Sequence, residues 1–188
     1  MTELELWKLA VPELDDYGLL NKICLDIATD MDQHNKIIDG ILQKDSLFEY
    51  TPLFGTGLKV NYQWDKKQVV LERLGQSVSL EMTAWFELLA KIDLVFSDVL
   101  PIGSVIEVDG EKTTPELREI FESQEEGIGF YLQIVARKVA VETSDNYVDY
   151  LATIWPIGMQ PLVQPIFISN YLIKSVIAKG YTNEFEKK

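Results

Sequence analysis

The segment Leu100-Pro101-Ile102-Gly103 ends a long apolar helical pattern, and it restricts the possible fold more than any other feature of the sequence. Proline disfavours helix at the preceding residue and has no backbone N–H for the helical ladder, so a helix approaching this segment must stop there. The following residues, Ser104–Val108, predict a short strand, and Asp109-Gly110 is a strong turn signal. We therefore expect two parts, a helical region with a β-hairpin at 1–99 and a second domain at 100–188.

Two heptad patterns dominate the first part. The first predicts a long helix that begins after an N-cap at Asp15 or Asp16 and runs to about Lys44. Its seam positions alternate in steps of four and three: Leu20, Cys24, Ile27, Met31, His34, Ile38 and Ile41. A second long helix, opening near Ser77, repeats this alternation at Val78, Met82, Trp85, Leu89, Ile92, Phe96 and Val99. The simplest arrangement packs the two helices antiparallel.

The stretch between these helices predicts a β-hairpin. Apolar residues alternate from Leu58 to Trp64, the chain turns around Asp65-Lys66-Lys67, and the alternation returns through Val69 and Leu71. The N-terminal part should therefore be long helix, β-hairpin, long helix.

The second part predicts a small, mostly antiparallel β-sheet domain with short helices. Thr114 is suited to cap a helix that has Pro115 in its first position. Strands are expected at about 130–142 and 147–155, and a last strand should end near Gly180-Tyr181. The predicted fold class of the whole chain is α+β.

The charge of the chain limits its partners. The formal net charge of -13 repels nucleic acid and anionic lipid, and it favours a basic protein partner. Glu3 and Glu5 stand where a signal peptide would carry lysine or arginine, and the single cysteine, Cys24, excludes an intramolecular disulfide. We expect a cytoplasmic protein that is not inserted in a membrane.

Signals for catalysis are poor, and we expect no enzyme activity, no metal and no cofactor. His34 is the only histidine, so Ser-His, Cys-His and multi-histidine metal sites would all depend on one ring. Its position in the heptad pattern predicts a core or interface residue. The glycine pairs of the sequence lack the strand-to-helix setting of a nucleotide-binding loop.

Apolar side chains are the stronger candidates for function, because they could form a docking surface for a partner protein. The heptad patterns and the proline-punctuated stretch at 155–167 supply these residues. The candidate contacts are Met31, His34, Trp85, Phe86, Trp155, Met159 and Phe167. The sequence does not divide them between core and interface, and the two heptad patterns would also suit a homodimer.

Short motifs in the second part carry a family resemblance. They occur in the order LPIGSVI at 100–106, LQIVAR at 132–137, YVDY at 147–150, WPIG at 155–158, and a closing stretch through Phe167 to Gly180-Tyr181. In this order and spacing they resemble an uncharacterised bacterial domain family encoded beside LXG-toxin genes in type VII secretion loci of Gram-positive bacteria.

The resemblance implies a cytoplasmic accessory protein, either a chaperone or a targeting adaptor, that binds an LXG toxin and assists its export by the type VII secretion system. Other components of that system are further expected partners. The alternative is an immunity protein that binds and neutralises the toxin domain. The family brings no catalytic residues with it.

Overall fold

A computed structural model describes residues 2–51, 56–122, 129–140, 147–159 and 164–184. The chain divides into two compact units, Met1–Ser97 and Asp98–Lys188. Within the described ranges there are five α-helices and two antiparallel sheets, so the predicted α+β class is confirmed. The detailed arrangement of the first unit differs from the prediction.

The first unit begins with three helices, where the heptad pattern predicted one long helix. They are α1 (Glu3–Ala10), α2 (Leu19–Ala28) and α3 (Met31–Gln43). The break between α2 and α3 arises at Asp30, because its side chain accepts a hydrogen bond from the backbone N–H of Gln33 and so caps a new helix. The prediction of a continuous helix to Lys44 was therefore wrong.

The second predicted helix also begins later than expected. Residues Gln76–Glu81 form strand β4, and helix α4 covers only Met82–Phe96. In β4, Val78 pairs with Leu71 and Leu80 pairs with Val69. These paired apolar residues lie on one face of the sheet, so strand pairing determines the structure of this segment.

The predicted hairpin is confirmed, and it is part of a larger sheet. Strands β1 (Leu47–Tyr50), β2 (Leu58–Gln63), β3 (Gln68–Arg73) and β4 form an antiparallel sheet in the order β1-β2-β3-β4. A 3-10 turn at Trp64–Lys66 joins β2 to β3, while only Leu74 and Gly75 join β3 to β4.

The core of the first unit lies between this sheet and the helices. The fully buried side chains include Trp7 from α1, Ile23, Cys24 and Ile27 from α2, Ile37 from α3, Val60, Val69 and Leu71 from the sheet, and Trp85, Leu89 and Ile92 from α4. Every element except β1 and β4 contributes a buried apolar residue, and Phe48, Val78 and Leu80 of those two strands pack against the same cluster. This unit therefore has its own hydrophobic core.

Within its described residues, the second unit contains one α-helix and five strands. Its elements are β5 (Val105–Val108), α5 (Pro115–Glu122), β6 (Tyr131–Ala140), β7 (Tyr147–Ile154), β8 (Ile166–Ile168) and β9 (Ile173–Ala178). The strand order is β8-β7-β6-β5-β9, and all four pairings are antiparallel. The N-cap of α5 is confirmed, since Thr114 Oγ1 accepts from the backbone N–H of Leu117. Residues 141–142 of the predicted strand lie outside the described ranges.

The sheet of the second unit is curled. Strands β8 and β9 are at opposite ends of the strand order, yet only Ser169–Leu172 connect them. Five fully extended residue steps reach at most about 18 Å, and the 3-10 turn at Asn170–Leu172 makes this connection shorter. The outer strands of a flat five-stranded sheet lie about 19 Å apart. The connection also contacts both halves of the sheet. Asn170 N donates to Asp149 of β7, and Asp109 N, directly after β5, donates to Leu172 O.

The concave side of this sheet forms a second core. It contains Ile106 and Val108 of β5, Leu132 and Ile134 of β6, Tyr150, Ala152 and Ile154 of β7, Ile168 of β8, and also Leu100 and Phe121. Because residues alternate between the two faces of a strand, the neighbours of these residues point to the outer face of the sheet. That outer face contains the candidate site.

Candidate functional site

The structure separates the seven predicted contact residues into buried and exposed groups. His34 and Trp85 are buried in the core of the first unit, and Met31 is half-buried beside it. The exposed residues are Phe86 in the first unit and Trp155, Met159 and Phe167 in the second. Sequence spacing alone did not distinguish these groups.

His34 connects two helices of the first unit. Its Nε2 lies 3.0 Å from the carbonyl oxygen of Leu89, and a carbonyl can only accept, so Nε2 carries the proton and donates. The ring is 4% exposed. In this structure His34 therefore stabilises the packing of α3 against α4 and is not available to a partner.

The motif residues of the second unit form a hydrogen-bonded latch. The Tyr150 hydroxyl accepts from Leu100 N at 2.9 Å and donates to Asp98 O at 3.1 Å. The Ser104 hydroxyl donates to Pro101 O at 2.7 Å and accepts from Gly180 N at 3.0 Å. The segment at 98–104 is thereby fixed to both β7 and the end of β9, which gives these motif residues a structural role.

We expect removal of the Tyr150 hydroxyl to destabilise the second unit. In Tyr150→Phe the buried N–H of Leu100 loses its acceptor, so the free energy of unfolding should fall by about 1–3 kcal/mol. Chemical denaturation measures this loss. Tyr147→Phe is the matched control, since Tyr147 is exposed on the same strand and its substitution should leave stability nearly unchanged. Equal effects of the two substitutions would contradict the latch.

Asp149 supports a second junction of the same unit. Its carboxylate accepts from Lys138 Nζ at 2.7 Å and from the backbone N–H of Asn170 at 2.8 Å, and its side chain is only 7% exposed. The two contacts satisfy a buried charge that would otherwise be costly. Asp149 thus holds β6, β7 and the connection to β9 together.

Four apolar side chains form a patch on the outer face of this sheet. Leu151 pairs with Phe167 across β7 and β8, so their side chains lie on the same face. Trp155 follows Leu151 by four residues, and its ring meets that of Tyr131 edge-on with the centroids 6.2 Å apart. Trp155 is 42% exposed and Phe167 is 51% exposed. We call Tyr131, Leu151, Trp155 and Phe167 the outer patch.

The outer patch consists of two apolar pairs, Leu151 with Phe167 and Tyr131 with Trp155, in which Leu151 and Tyr131 are half-buried and none of the four side chains is charged. The distance from Leu151 in β7 to Trp155 directly after it is about 13 Å, and Thr153, which is buried and paired with Gln133, lies between them. The Asp149–Lys138 ion pair lies beyond Leu151. Exposed aromatic rings beside a polar boundary are typical of protein-protein contacts. The alternation of Leu151, Thr153 and Trp155 could have indicated this face, but the sequence analysis selected only Trp155.

Among the described residues, no cluster of three or more histidine, cysteine, aspartate or glutamate side chains could hold a metal ion. Burial raises the pKa of the Cys24 thiol to about 12, so the thiolate needed for nucleophilic attack is scarce at neutral pH.

An open groove of about 560 Å³ beside β5 contains both acidic and basic groups. Lys174 Nζ lies 2.7 Å from Glu107 Oε1, and Ser175 Oγ donates to Glu107 Oε2 at 2.9 Å. The hydrogen bonds from Lys174 and Ser175 hold the pKa of Glu107 below its usual value. Arg118 donates to the Gly110 carbonyl. The cations thus already have partners within the fold.

Residues 130–188 match the model of a family described as a domain of unknown function (DUF4176). The match supports the resemblance to an uncharacterised domain family, and it contains the whole outer patch. It begins after the LPIGSVI motif, so that motif and α5 lie outside the matched residues. Comparisons with curated proteins and with solved structures found no match. In the part of the chain that the structure describes, no helix has both the length and the apolar character needed to span a bilayer.

Proposed function

We propose that this chain is a cytoplasmic accessory chaperone or targeting adaptor that binds an LXG-family toxin and assists its export by the type VII secretion system. The observation that carries the proposal is the outer patch, an exposed aromatic surface inside the segment that matches the uncharacterised family. The resemblance carried by the order of the motifs supports the link to the toxin loci. The chain acts through binding, without catalysis.

The chemistry of the surface suits this role. Aromatic side chains provide much contact area with few rotatable bonds, so Trp155 and Phe167 are suitable anchors for a partner. The net charge of -13 keeps the protein soluble while this apolar surface is exposed. The patch would cover apolar toxin surface before export, and the latch and Asp149 hold the strands that present it.

The first test is a pull-down of the tagged protein with separately expressed segments of the toxin encoded beside it, with size exclusion to confirm any complex. Binding to the N-terminal or central toxin segment supports the export role, and deletion of the gene should then abolish toxin secretion while the cells stay resistant. Binding only to the C-terminal toxic domain would show an immunity protein.

We expect the double substitution Trp155→Ser, Phe167→Ser to weaken toxin binding by about 10- to 100-fold, because it removes both exposed anchors. The affinity is measured by calorimetry with the bound toxin segment. Tyr17→Ser is a control, since Tyr17 is an exposed aromatic residue of the first unit. Phe86→Ser tests the exposed face of α4 as the competing surface. If only Phe86→Ser reduces the affinity, the outer patch is not the docking site.

A further inference from the structure

The turn between β3 and β4 contains an unusual residue. Arg73 pairs with Gln76, so Leu74 and Gly75 alone make the turn, and their φ angles of 52° and 71° are those of a type I′ turn. Asparagine, aspartate and glycine are favoured at the first position of this turn. Leucine is disfavoured there, because in the left-handed conformation its Cβ approaches the following carbonyl oxygen.

Core packing does not compensate for this strain. The Leu74 side chain is 74% exposed, and it is not among the residues that pack against the core of the first unit. Lys44 and Lys67 have similar positive φ angles, but their charged side chains are favourably solvated by water. At Leu74 both the backbone conformation and the exposure are unfavourable, so folding alone does not account for leucine at this position.

The hairpin holds Leu74 in a fixed position. Arg73 Nε donates to Asp26 Oδ2 at 2.6 Å, which connects the end of β3 to α2. Strands β3 and β4 pair in unbroken register from Gln68 opposite Glu81 to Arg73 opposite Gln76. The backbone that presents Leu74 is therefore ordered before binding, and this part of the chain loses little conformational entropy in a complex.

The charges near Leu74 indicate the partner that would fit. An open pocket of about 360 Å³ adjoins the turn and is lined in part by Glu49, Lys59, Glu72 and Arg73. Lys59 pairs with Glu49, and Arg73 pairs with Asp26. Glu72 accepts a hydrogen bond from Asn61 and lies opposite Lys59 in the register of β2 and β3, so Lys59 stands between two carboxylates. The surroundings of Leu74 therefore retain one net negative charge.

We propose that Leu74 is an anchor for a partner protein that receives it in an apolar pocket bordered by lysine or arginine. Charge complementarity to Glu72 and to the acidic chain selects such a partner over an anionic lipid surface. The proposal adds a second contact surface to the one in the proposed function. It rests on the proposed function only where the partner is taken to be the toxin.

The first experiment measures the strain by thermal unfolding of the full chain. Leu74→Asn should raise the melting temperature by about 2–4 °C, because asparagine accepts the left-handed conformation. Lys67→Asn should give a rise of the same sign at a second turn with positive φ. Leu42→Asn, at an exposed helical leucine, should give no rise. A melting temperature of Leu74→Asn at or below that of the wild type would overturn the premise.

The second experiment places a photo-crosslinking phenylalanine analogue at position 74, or at position 42 as the control, in cells that encode the protein. An adduct at 74 but not at 42 should contain a partner protein, identified by mass spectrometry, whose affinity for the purified chain falls at least tenfold in Leu74→Asn and not in Lys67→Asn. The wild-type chain should also bind this partner more weakly at high salt, because salt screens the attraction between the charges.

The outcomes separate this proposal from the export function. If the toxin is crosslinked and Leu74→Asn weakens its binding, both are supported. If another protein is crosslinked and meets the same affinity criterion, the Leu74 proposal is retained and the toxin is not its partner. Absence of an adduct at 74, an adduct with a second copy of this chain, or unchanged affinity in Leu74→Asn would overturn the proposal.

Discussion

A fragment of residues 98–188 should fold cooperatively, whereas a fragment of residues 130–188, the segment matched by the family model, should not. The reason is the position of β5 in the sheet. It pairs with β6 on one side and with β9 on the other, so without it β9 has no partner strand among the described elements.

The shorter fragment also loses buried apolar area. Ile106 and Val108 of β5 and Phe121 of α5 are buried in the core, and full burial of such a side chain contributes about 1.5–3 kcal/mol. Several such losses approach the total stability of a small domain, which is about 5–15 kcal/mol. The latch from Leu100 to Tyr150 is absent as well.

Circular dichroism and amide chemical-shift dispersion would compare the two fragments. The longer one should show a sigmoidal thermal transition and dispersed amide signals, and the shorter one should show neither. As a control for partial loss of this core, Ile106→Ala in the longer fragment should lower the free energy of unfolding by about 2–5 kcal/mol. A cooperative transition of the 130–188 fragment would show that β5 is dispensable.

Gly180→Ala should be among the most damaging single substitutions in the second unit. A Cβ at this position would overlap the carbonyl oxygen of Ile102 and would lie 2.9 Å from Ser104 N. Both atoms belong to backbone that the latch holds in place, so neither can move without breaking hydrogen bonds. We expect a loss of about 3 kcal/mol, at the upper end for an overpacked site.

This loss can be measured by urea denaturation of the full chain, with a spectroscopic probe in the second unit to monitor its unfolding. Gly158→Ala separates steric overlap from backbone strain, since Gly158 has a φ of 75° but no atom within 4 Å of a new Cβ. Gly158→Ala should lower the free energy of unfolding by about 1–2 kcal/mol. If Gly180→Ala proves no more harmful than Gly158→Ala, the close contact with Ile102 does not limit stability.

Sequence periodicity predicted the elements of the second unit better than those of the first. The step of four residues from Ile27 to Met31 fits a continuous helix, and only the side chain of Asp30 shows that a new helix begins there. Likewise, the spacing from Val78 to Met82 fits one helical turn as well as two alternations of a strand. The pairing with β3 decides between them, and a pairing is not visible in local spacing.

The candidate site shows the same limit. In β7 both alternating sets of residues, Tyr150 to Ile154 and Leu151 to Trp155, contain large apolar side chains, so the pattern does not say which set is buried. The curl of the sheet buries the first set and leaves part of the second exposed. Leu74 was missed because its exposure and positive φ depend on the register of a hairpin.

The edges of the second sheet affect whether strands of other molecules can pair with it. An open sheet exposes two edges whose free amides and carbonyls can recruit strands from neighbouring molecules, which is a common route to aggregation. Here one edge strand is only three residues long, and the other carries Lys174 within it and Lys179 directly after it. A short edge and lysine-bearing edges both discourage such pairing. The fold can thus display aromatic side chains on its face while its edges resist amyloid-like growth.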